Sequence, residues 1–134
     1  MELIVIDSSA LLAMLQNEPE RAEFAALIAR AERRLVSAVT LLEAGMVARS
    51  RRGEAGLKAL DDIVSDAELE IVPFDDQQRQ LAIAAFNQYG KGIHPSARLN
   101  LGDCAVYALA KGMNAPLLFK GNDFTATDLV AARP

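Results

Sequence analysis

Short apolar segments alternate with long helical patterns along the whole chain, and this alternation constrains the fold more than any other feature of the sequence. The segments rich in β-forming residues lie at 3–6, 35–37, 70–72 and 117–119. Patterns of helical period separate each segment from the next. Strands that alternate with helices are typical of a parallel sheet. We therefore expect an α/β fold with a central parallel sheet of about four or five strands flanked by helices.

Helical periodicity predicts helices at 9–15, 19–31, 39–50, 54–65, 75–89 and 103–111. Three of these patterns end beside a glycine, namely Gly53, Gly90 and Gly112, where a left-handed C-cap is favoured. Residues 90–100 are rich in glycine and proline and have no apolar period, which indicates a loop. A loop of this length in a compact domain is often functional.

The size and composition of the chain predict a single domain over residues 1–134. It has 134 residues, 51% of them hydrophobic, and no linker-like segment, so it can bury a core without disulfides. Its one cysteine, Cys104, fits a reducing compartment and is interpreted as a small core residue. The apolar segments fall well short of the roughly 20 residues of a membrane span, and Asp7 interrupts the first of them, unlike a signal peptide. We expect a cytoplasmic protein with no membrane partner.

The charge balance is acidic, with 18 acidic and 14 basic residues and a net charge of −4. Proteins that coat nucleic acids generally carry a positive excess. Taken alone, the charge therefore argues against this class of protein. Divalent cations held by some of the carboxylates would offset it.

Four carboxylates differ from the rest because they occur in apolar surroundings: Asp7, Glu43, Asp103 and Asp123. A carboxylate buried without a partner is costly, so such groups are generally paired, hydrogen-bonded or metal-bound. The carboxyl ends of parallel strands share one edge of the sheet, where ligands bind. Since three of these acids follow predicted strands and the fourth follows the irregular loop, we expect all four at that edge.

Capping offers a structural interpretation of each acid taken singly. Asp7, Asp103 and Asp123 fit helix N-caps, and Thr40 with Glu43 has the spacing of a capping box. Capping does not require four acids at one edge, whereas phosphate chemistry with divalent metals does. Mg²⁺ and Mn²⁺ prefer hard oxygen ligands, and one or two such ions stabilise charge in phosphoryl displacement.

Four segments of the chain, in order, resemble the PIN-domain ribonucleases, and most of all the VapC toxins of bacterial toxin–antitoxin systems. The segments are IVIDSSALL at 4–12, SAVTLLE at 37–43, LNLGDCAVYALA at 99–110 and LLFKGNDF at 117–124. The resemblance spans almost the whole chain. It implies a PIN-like fold, an Mg²⁺- or Mn²⁺-dependent endoribonuclease acting on tRNA, rRNA or mRNA, a homodimer, and inhibition by a cognate VapB-like antitoxin.

The same resemblance assigns roles to individual residues. The metal-binding and catalytic acids of the family fall on Asp7, Glu43, Asp103 and Asp123. The last motif of the family often has two acids, and since Gly121 and Asn122 occupy the neighbouring positions here, Asp123 is the better candidate. Ser8 and Ser9 stand where the family favours hydroxyls that support a metal ligand.

Four basic residues are candidate contacts to the RNA backbone: Lys91, His94, Arg98 and Lys120. They lie in the irregular loop or beside Asp123, where cations can hold phosphates. The alternative is a solvated loop without a binding role. His94 is also a candidate general base, although a single histidine in a loop is more often a surface residue or a phosphate contact.

Two other functions remain open at the level of sequence. In a phosphoryl-transfer α/β domain, such as a phosphatase or a receiver, Asp7 would be the nucleophile, but Ser9 stands where those phosphatases have a second acid. In a non-catalytic binding module the acid cluster would bind without turnover. A dimer surface on the amino-terminal helices is a further expectation, with ordinary core as its alternative; the residues concerned are Leu11, Leu12, Leu15, Phe24, Leu27 and Ile28.

Overall fold

The computed structural model describes residues 1–134 and alternates strands with helices, as the sequence predicts. The elements are β1 (Leu3–Ile6), α1 (Ser8–Leu15), α2 (Arg21–Arg30), β2 (Arg33–Ser37), α3 (Ala38–Asp66), β3 (Glu70–Val72), α4 (Asp76–Tyr89), α5 (Leu101–Met113) and β4 (Leu117–Leu118). No helix is both long and apolar enough to cross a membrane.

The four strands form one parallel sheet in the order β3-β2-β1-β4. The predicted α/β fold with a central parallel sheet is therefore confirmed. The carboxyl-terminal segment extends the sheet beyond β4, because Leu117 donates to Val130 O and accepts from Ala132 N–H, both at 2.8 Å. A single parallel bridge between Leu117 and Ala131 is the only further pairing at this edge.

Successive residues of β1 point to opposite faces of the sheet, and each face has its own core. Ile4 and Ile6 pack with residues of α1 and α2 in one apolar cluster, whereas Val5 packs with residues of α4 and α5 in the other. Among the apolar residues of the amino-terminal helices, Leu11, Phe24, Leu27 and Ile28 belong to the first core, Leu15 is also buried, and Leu12 is half-buried. This burial favours the core interpretation over a dimer surface for all of them except Leu12.

Helix α3 contains a reversal at Gly53, so the two helices predicted at 39–50 and 54–65 are confirmed. Gly53 has φ 61° and ψ −149°, a conformation that is essentially restricted to glycine. A Cβ at Gly45 would lie 3.7 Å from Leu57, whereas the two residues would be about 18 Å apart in a straight helix. The two halves therefore pack against each other as a hairpin.

The predicted helix end at Tyr89 is confirmed, but the cap Gly90 is extended with φ −66° rather than left-handed. The predicted end before Gly112 is wrong, because α5 continues to Met113 and ends at the left-handed Asn114 with φ 51°. Asparagine is the residue other than glycine that tolerates this conformation. The amino-terminal cap of α3 is Ser37 rather than Thr40, so the predicted capping box of Thr40 and Glu43 is absent.

Candidate metal centre

Asp7 lies between β1 and α1, and its carboxylate is held by the next turn of the chain. Its Oδ2 accepts hydrogen bonds from Ser9 N–H at 3.1 Å and from Ser9 Oγ at 2.6 Å. The predicted N-cap role of Asp7 is therefore confirmed. Burial raises the pKa of Asp7, the Ser9 hydrogen bonds oppose that rise, and the charge of Glu43 adds to it. A carboxylate that is only 5% exposed and close to a second acid is favourable for a cation.

Glu43 lies in the first half of α3, and its carboxylate is fixed by contacts from α1 and α5. The hydroxyl of Ser8 donates to its Oε1 at 2.9 Å. On the other side the carboxylate lies against Gly102, since a Cβ built there would be 2.9 Å from Glu43 Cδ. Glu43 therefore lies between the amino-terminal turns of two helices.

Asp103 belongs to the first turn of α5 but is not its cap. Asn100 caps the helix and accepts from Asp103 N–H at 2.9 Å, while Asp103 Oδ2 accepts from Asn100 N–H at 3.1 Å. Burial raises the pKa of Asp103 to about 6, the Asn100 hydrogen bond opposes this rise, and the charges of Asp123, Asp7 and Glu43 add to it. All three of the other predicted acids thus act on Asp103.

Asp123 is the exception among the four acids because its side chain is exposed. It lies in a segment of turns after β4, and no helix starts there, so the N-cap interpretation of Asp123 is wrong. Its charge is nevertheless the largest contribution that another carboxylate makes to the raised pKa of Asp103.

The four carboxylates are chemically suited to a hard divalent cation. Their oxygens carry like charges that repel one another, and a bound cation would relieve that repulsion. As the side chains stand, no group of three or more His, Cys, Asp or Glu residues is arranged to hold a metal ion. Binding would therefore require the carboxylates to draw closer together.

The predicted basic contacts differ in their surroundings. Lys91 and Arg98 are exposed in the loop between α4 and α5. His94 stabilises that loop, because its Nδ1 accepts from Ser96 N–H at 3.0 Å and Ala97 N–H at 2.9 Å. With Nδ1 occupied in this way, the geometry favours a structural role for His94 over that of a general base.

Lys120 is paired with two acids outside the group of four. Its Nζ contacts Glu18 and lies 3.2 Å from Glu20 Oε2. Its backbone N–H donates to Ser9 Oγ at 3.0 Å. No local pattern indicates these ion pairs, since the partners are about a hundred residues apart in the chain. By contrast, the Asn100–Asp103 pair has capping-box spacing that is readable from sequence.

Comparison with known proteins assigns a family to this arrangement. The PIN domain family model matches residues 4–129. The chain is 40% identical over 129 residues to VapC ribonuclease Mb0625 of Mycobacterium bovis, covering 96% of this chain and 97% of that protein. It is 43% identical over 128 residues to Ribonuclease VapC of Mycolicibacterium smegmatis, covering 96% and 98%.

Solved structures show the same fold at lower sequence identity. VapC20 of Mycobacterium tuberculosis, described as a sarcin-ricin loop cleaving toxin, superposes with a TM-score of 0.77 at 16% identity, covering 98% of this chain and 99% of that chain. The VapBC2 complex of Rickettsia felis bound to a promoter DNA fragment gives 0.74 at 17% identity, covering 96% of each.

Proposed function

Since the chain belongs to the PIN-domain family and, within it, to the VapC ribonucleases, we propose that it is the endoribonuclease toxin of a VapBC-type toxin–antitoxin system. It acts as a single domain over residues 1–134 and hydrolyses phosphodiester bonds in RNA. The observation that carries this proposal is the geometry around Glu43. Its carboxylate accepts from the hydroxyl of Ser8, next to Asp7, and lies against Gly102, next to Asp103, which supports a shared site for the three acids.

In this proposal Asp7, Glu43, Asp103 and Asp123 hold one or two divalent ions, Mg²⁺ or Mn²⁺. When bound, such an ion stabilises the charge that develops on phosphodiester oxygens. The chain itself supplies orientation. Ser9 fixes the carboxylate of Asp7, Ser8 fixes that of Glu43, and side-chain partners of this kind tune both the placement and the basicity of metal ligands.

We propose that the loop between α4 and α5 contacts the RNA substrate. Lys91 and Arg98 are exposed there and are our candidates for contacts to RNA phosphates, which position a substrate without reading its sequence. His94 supports them by holding the loop backbone. We further propose a VapB-like antitoxin as partner, a homodimer, and a cytoplasmic location.

The test is cleavage of total RNA in Mg²⁺ by the wild type, Asp7→Asn and Asp103→Asn. Each variant removes one charge and keeps the size of the side chain, and we expect cleavage to fall by more than about 100-fold. Asp61→Asn is the matched control because that carboxylate is exposed. If Asp7→Asn and Asp103→Asn fold normally and cleave as fast as the wild type, the assignment is wrong.

A metal titration of the same proteins by calorimetry separates catalysis from binding alone. A nuclease binds Mn²⁺ and cleaves RNA in its presence, and the cleavage stops when the metal is removed. A non-catalytic module would bind the metal and leave the RNA intact.

A further inference from the structure

We propose that Lys120 is a positioning residue, which uses its ion pairs with Glu18 and Glu20 to hold the segment that carries Asp123 next to Asp7. Lys120 is then not a contact to the RNA backbone. This inference rests on the proposed function, because it concerns the placement of the acids assigned to the metal.

The side chain of Lys120 is the first part of this arrangement. Its Nζ contacts the Glu18 carboxylate and lies 3.2 Å from Glu20 Oε2. The three side chains are only 35%, 32% and 31% exposed, whereas those of the surface pair of Arg33 and Glu70 are about half exposed. Partly buried pairs are screened less by salt than exposed ones. The cation is therefore already neutralised by two carboxylates of the connection between α1 and α2.

The main chain of Lys120 is the second part. Its N–H donates to Ser9 Oγ at 3.0 Å, and the same hydroxyl donates to Asp7 Oδ2 at 2.6 Å. One hydroxyl therefore links the backbone at Lys120 to the most buried of the four acids. Through its side chain and its main chain, Lys120 connects three segments at this edge of the sheet. They are its own segment after β4, the first turn of α1, and the connection between α1 and α2.

The path of the chain beyond Lys120 shows why the contacts of Lys120 matter for the placement of Asp123. Gly121 has φ 95°, a conformation that disfavours side chains, and it turns the chain towards Asp123. The exposed Asp123 has no hydrogen bond from its own side chain, and the next buried residue is Phe124. The segment has no helix or strand of its own, so its placement depends on Lys120 before it and Phe124 after it.

The double substitution of Glu18→Gln with Glu20→Gln distinguishes the two possible roles of Lys120, because each role predicts a different change in binding. If Lys120 binds RNA, removal of the two competing carboxylates frees its charge, so RNA binding becomes tighter and more salt-dependent. If Lys120 positions the acids, the same change loosens the segment and weakens metal binding, as Lys120→Met does.

The experiment measures Mn²⁺ affinity by calorimetry on the RNA-free protein, together with kcat and KM on an RNA substrate. We expect Lys120→Met and the double glutamine variant each to weaken Mn²⁺ binding and to lower kcat by about 10-fold or more, with KM changed by less than about 2-fold. Lys120→Arg is expected to preserve both, because a guanidinium group can bridge two carboxylates. Lys58→Met is the matched control, because this lysine is exposed and pairs with Asp62 on the surface, so its loss should leave Mn²⁺ affinity, kcat and KM unchanged.

Two results would overturn the inference. One is a higher KM in Lys120→Met with unchanged Mn²⁺ affinity, and the other is tighter RNA binding in the double glutamine variant. Thermal unfolding shows whether each variant folds. If Lys120→Met does not fold, the double glutamine variant still tests the inference, because glutamine keeps the size of the glutamate side chain. If the wild type binds Mn²⁺ without cleaving RNA, the proposed function fails, while the calorimetry still decides the role of Lys120.

Discussion

The carboxylate of Glu43 lies against the bare Cα of Gly102. A Cβ at residue 102 would be 2.9 Å from both Cδ and Oε1 of Glu43 and closer still to Oε2. Gly102 has no positive φ, so α5 itself does not require glycine there. The neighbouring carboxylate does, and glycine at this position is therefore tied to the placement of Glu43.

We expect Gly102→Ala to separate stability from metal binding. Alanine favours a helix over glycine by about 1 kcal/mol, but the added methyl group would displace Glu43. The expected result is an Mn²⁺ affinity and an RNA cleavage rate lower by about 10-fold, with no comparable loss of thermal stability. Gly45→Ala is the control, since its Cβ would meet Leu57 at an ordinary 3.7 Å. Unchanged Mn²⁺ affinity in Gly102→Ala would contradict this account.

Metal binding should weaken on acidification in a range set by Asp103. The pKa of Asp103 is raised to about 6 by burial and by the neighbouring acids, and a metal ligand must be deprotonated. Protons therefore compete with the metal at a pH where ordinary carboxylates remain charged. We expect Mn²⁺ affinity to fall steadily from about pH 7.5 to about pH 5, which calorimetry in matched buffers would detect. A flat profile would argue against Asp103 as a ligand.

The stability of the metal-free protein should change in the opposite direction. The folded pKa of Asp103 is above its ordinary value of 3.8, so the folded state binds a proton more tightly than the unfolded state. This contribution to stability is complete below the unfolded pKa and is lost as the pH rises through about 6. The buried Asp7, whose pKa is also raised, adds to the same trend.

The measurement is thermal unfolding in EDTA across this range. The melting temperature should rise as the pH falls from about 7 to about 5. Asp103→Asn, which has no proton to bind there, should show a smaller rise. Equal profiles for the variant and the wild type would mean that Asp103 does not titrate in this window.

The sequence predicts the sheet well because its strands depend on local patterns. Residues 3–6 and 70–72 are strands as predicted, since apolar runs between helical patterns leave few alternatives. The placement of Asp103 also follows from its position in the chain, because it lies in the first turn of a helix at the edge where parallel strands end. Gly112 fails as a helix end because the helical apolar face continues to Met113 and Asn114 supplies the left-handed residue.

Contacts between distant segments are the part that sequence does not predict. Glu18 has the appearance of a solvated acid, yet it pairs with Lys120, 102 residues later. The contact of Glu43 with Gly102 has the same origin. Such pairs are set by the packing of whole elements, and a single sequence holds no local signal for them.

The carboxyl-terminal segment should depend on Asp128 for its stability. Asp128 accepts from Tyr107 Oη at 2.6 Å and pairs with Lys111 Nζ at 2.5 Å, both on α5. We expect Tyr107→Phe to lower the free energy of unfolding by about 1 kcal/mol, measured by urea denaturation without metal. Lys58→Met, which removes only an exposed pair with Asp62, should cost less than about 0.5 kcal/mol. Equal losses of unfolding free energy in the two variants would refute a special role for the hydrogen bond from Tyr107 to Asp128.

The proposed homodimer should use an exposed apolar surface made of Leu42, Met46, Ile83 and Leu101. These side chains are 64%, 63%, 52% and 79% exposed. They line two adjoining cavities of about 430 Å³ and 390 Å³ that share Val39 and Leu101. A continuous apolar surface of this kind is typical of a protein interface.

We expect Leu101→Glu to weaken the dimer by more than about 10-fold, because it places a charge at the centre of that surface. Sedimentation over a range of concentrations measures the change. Thermal stability of the monomer should stay close to that of the wild type, since Leu101 is already exposed in the single chain. Val130→Glu is the matched control, because Val130 is 69% exposed and lies outside the two cavities. If Leu101→Glu associates as the wild type does, the dimer surface lies elsewhere.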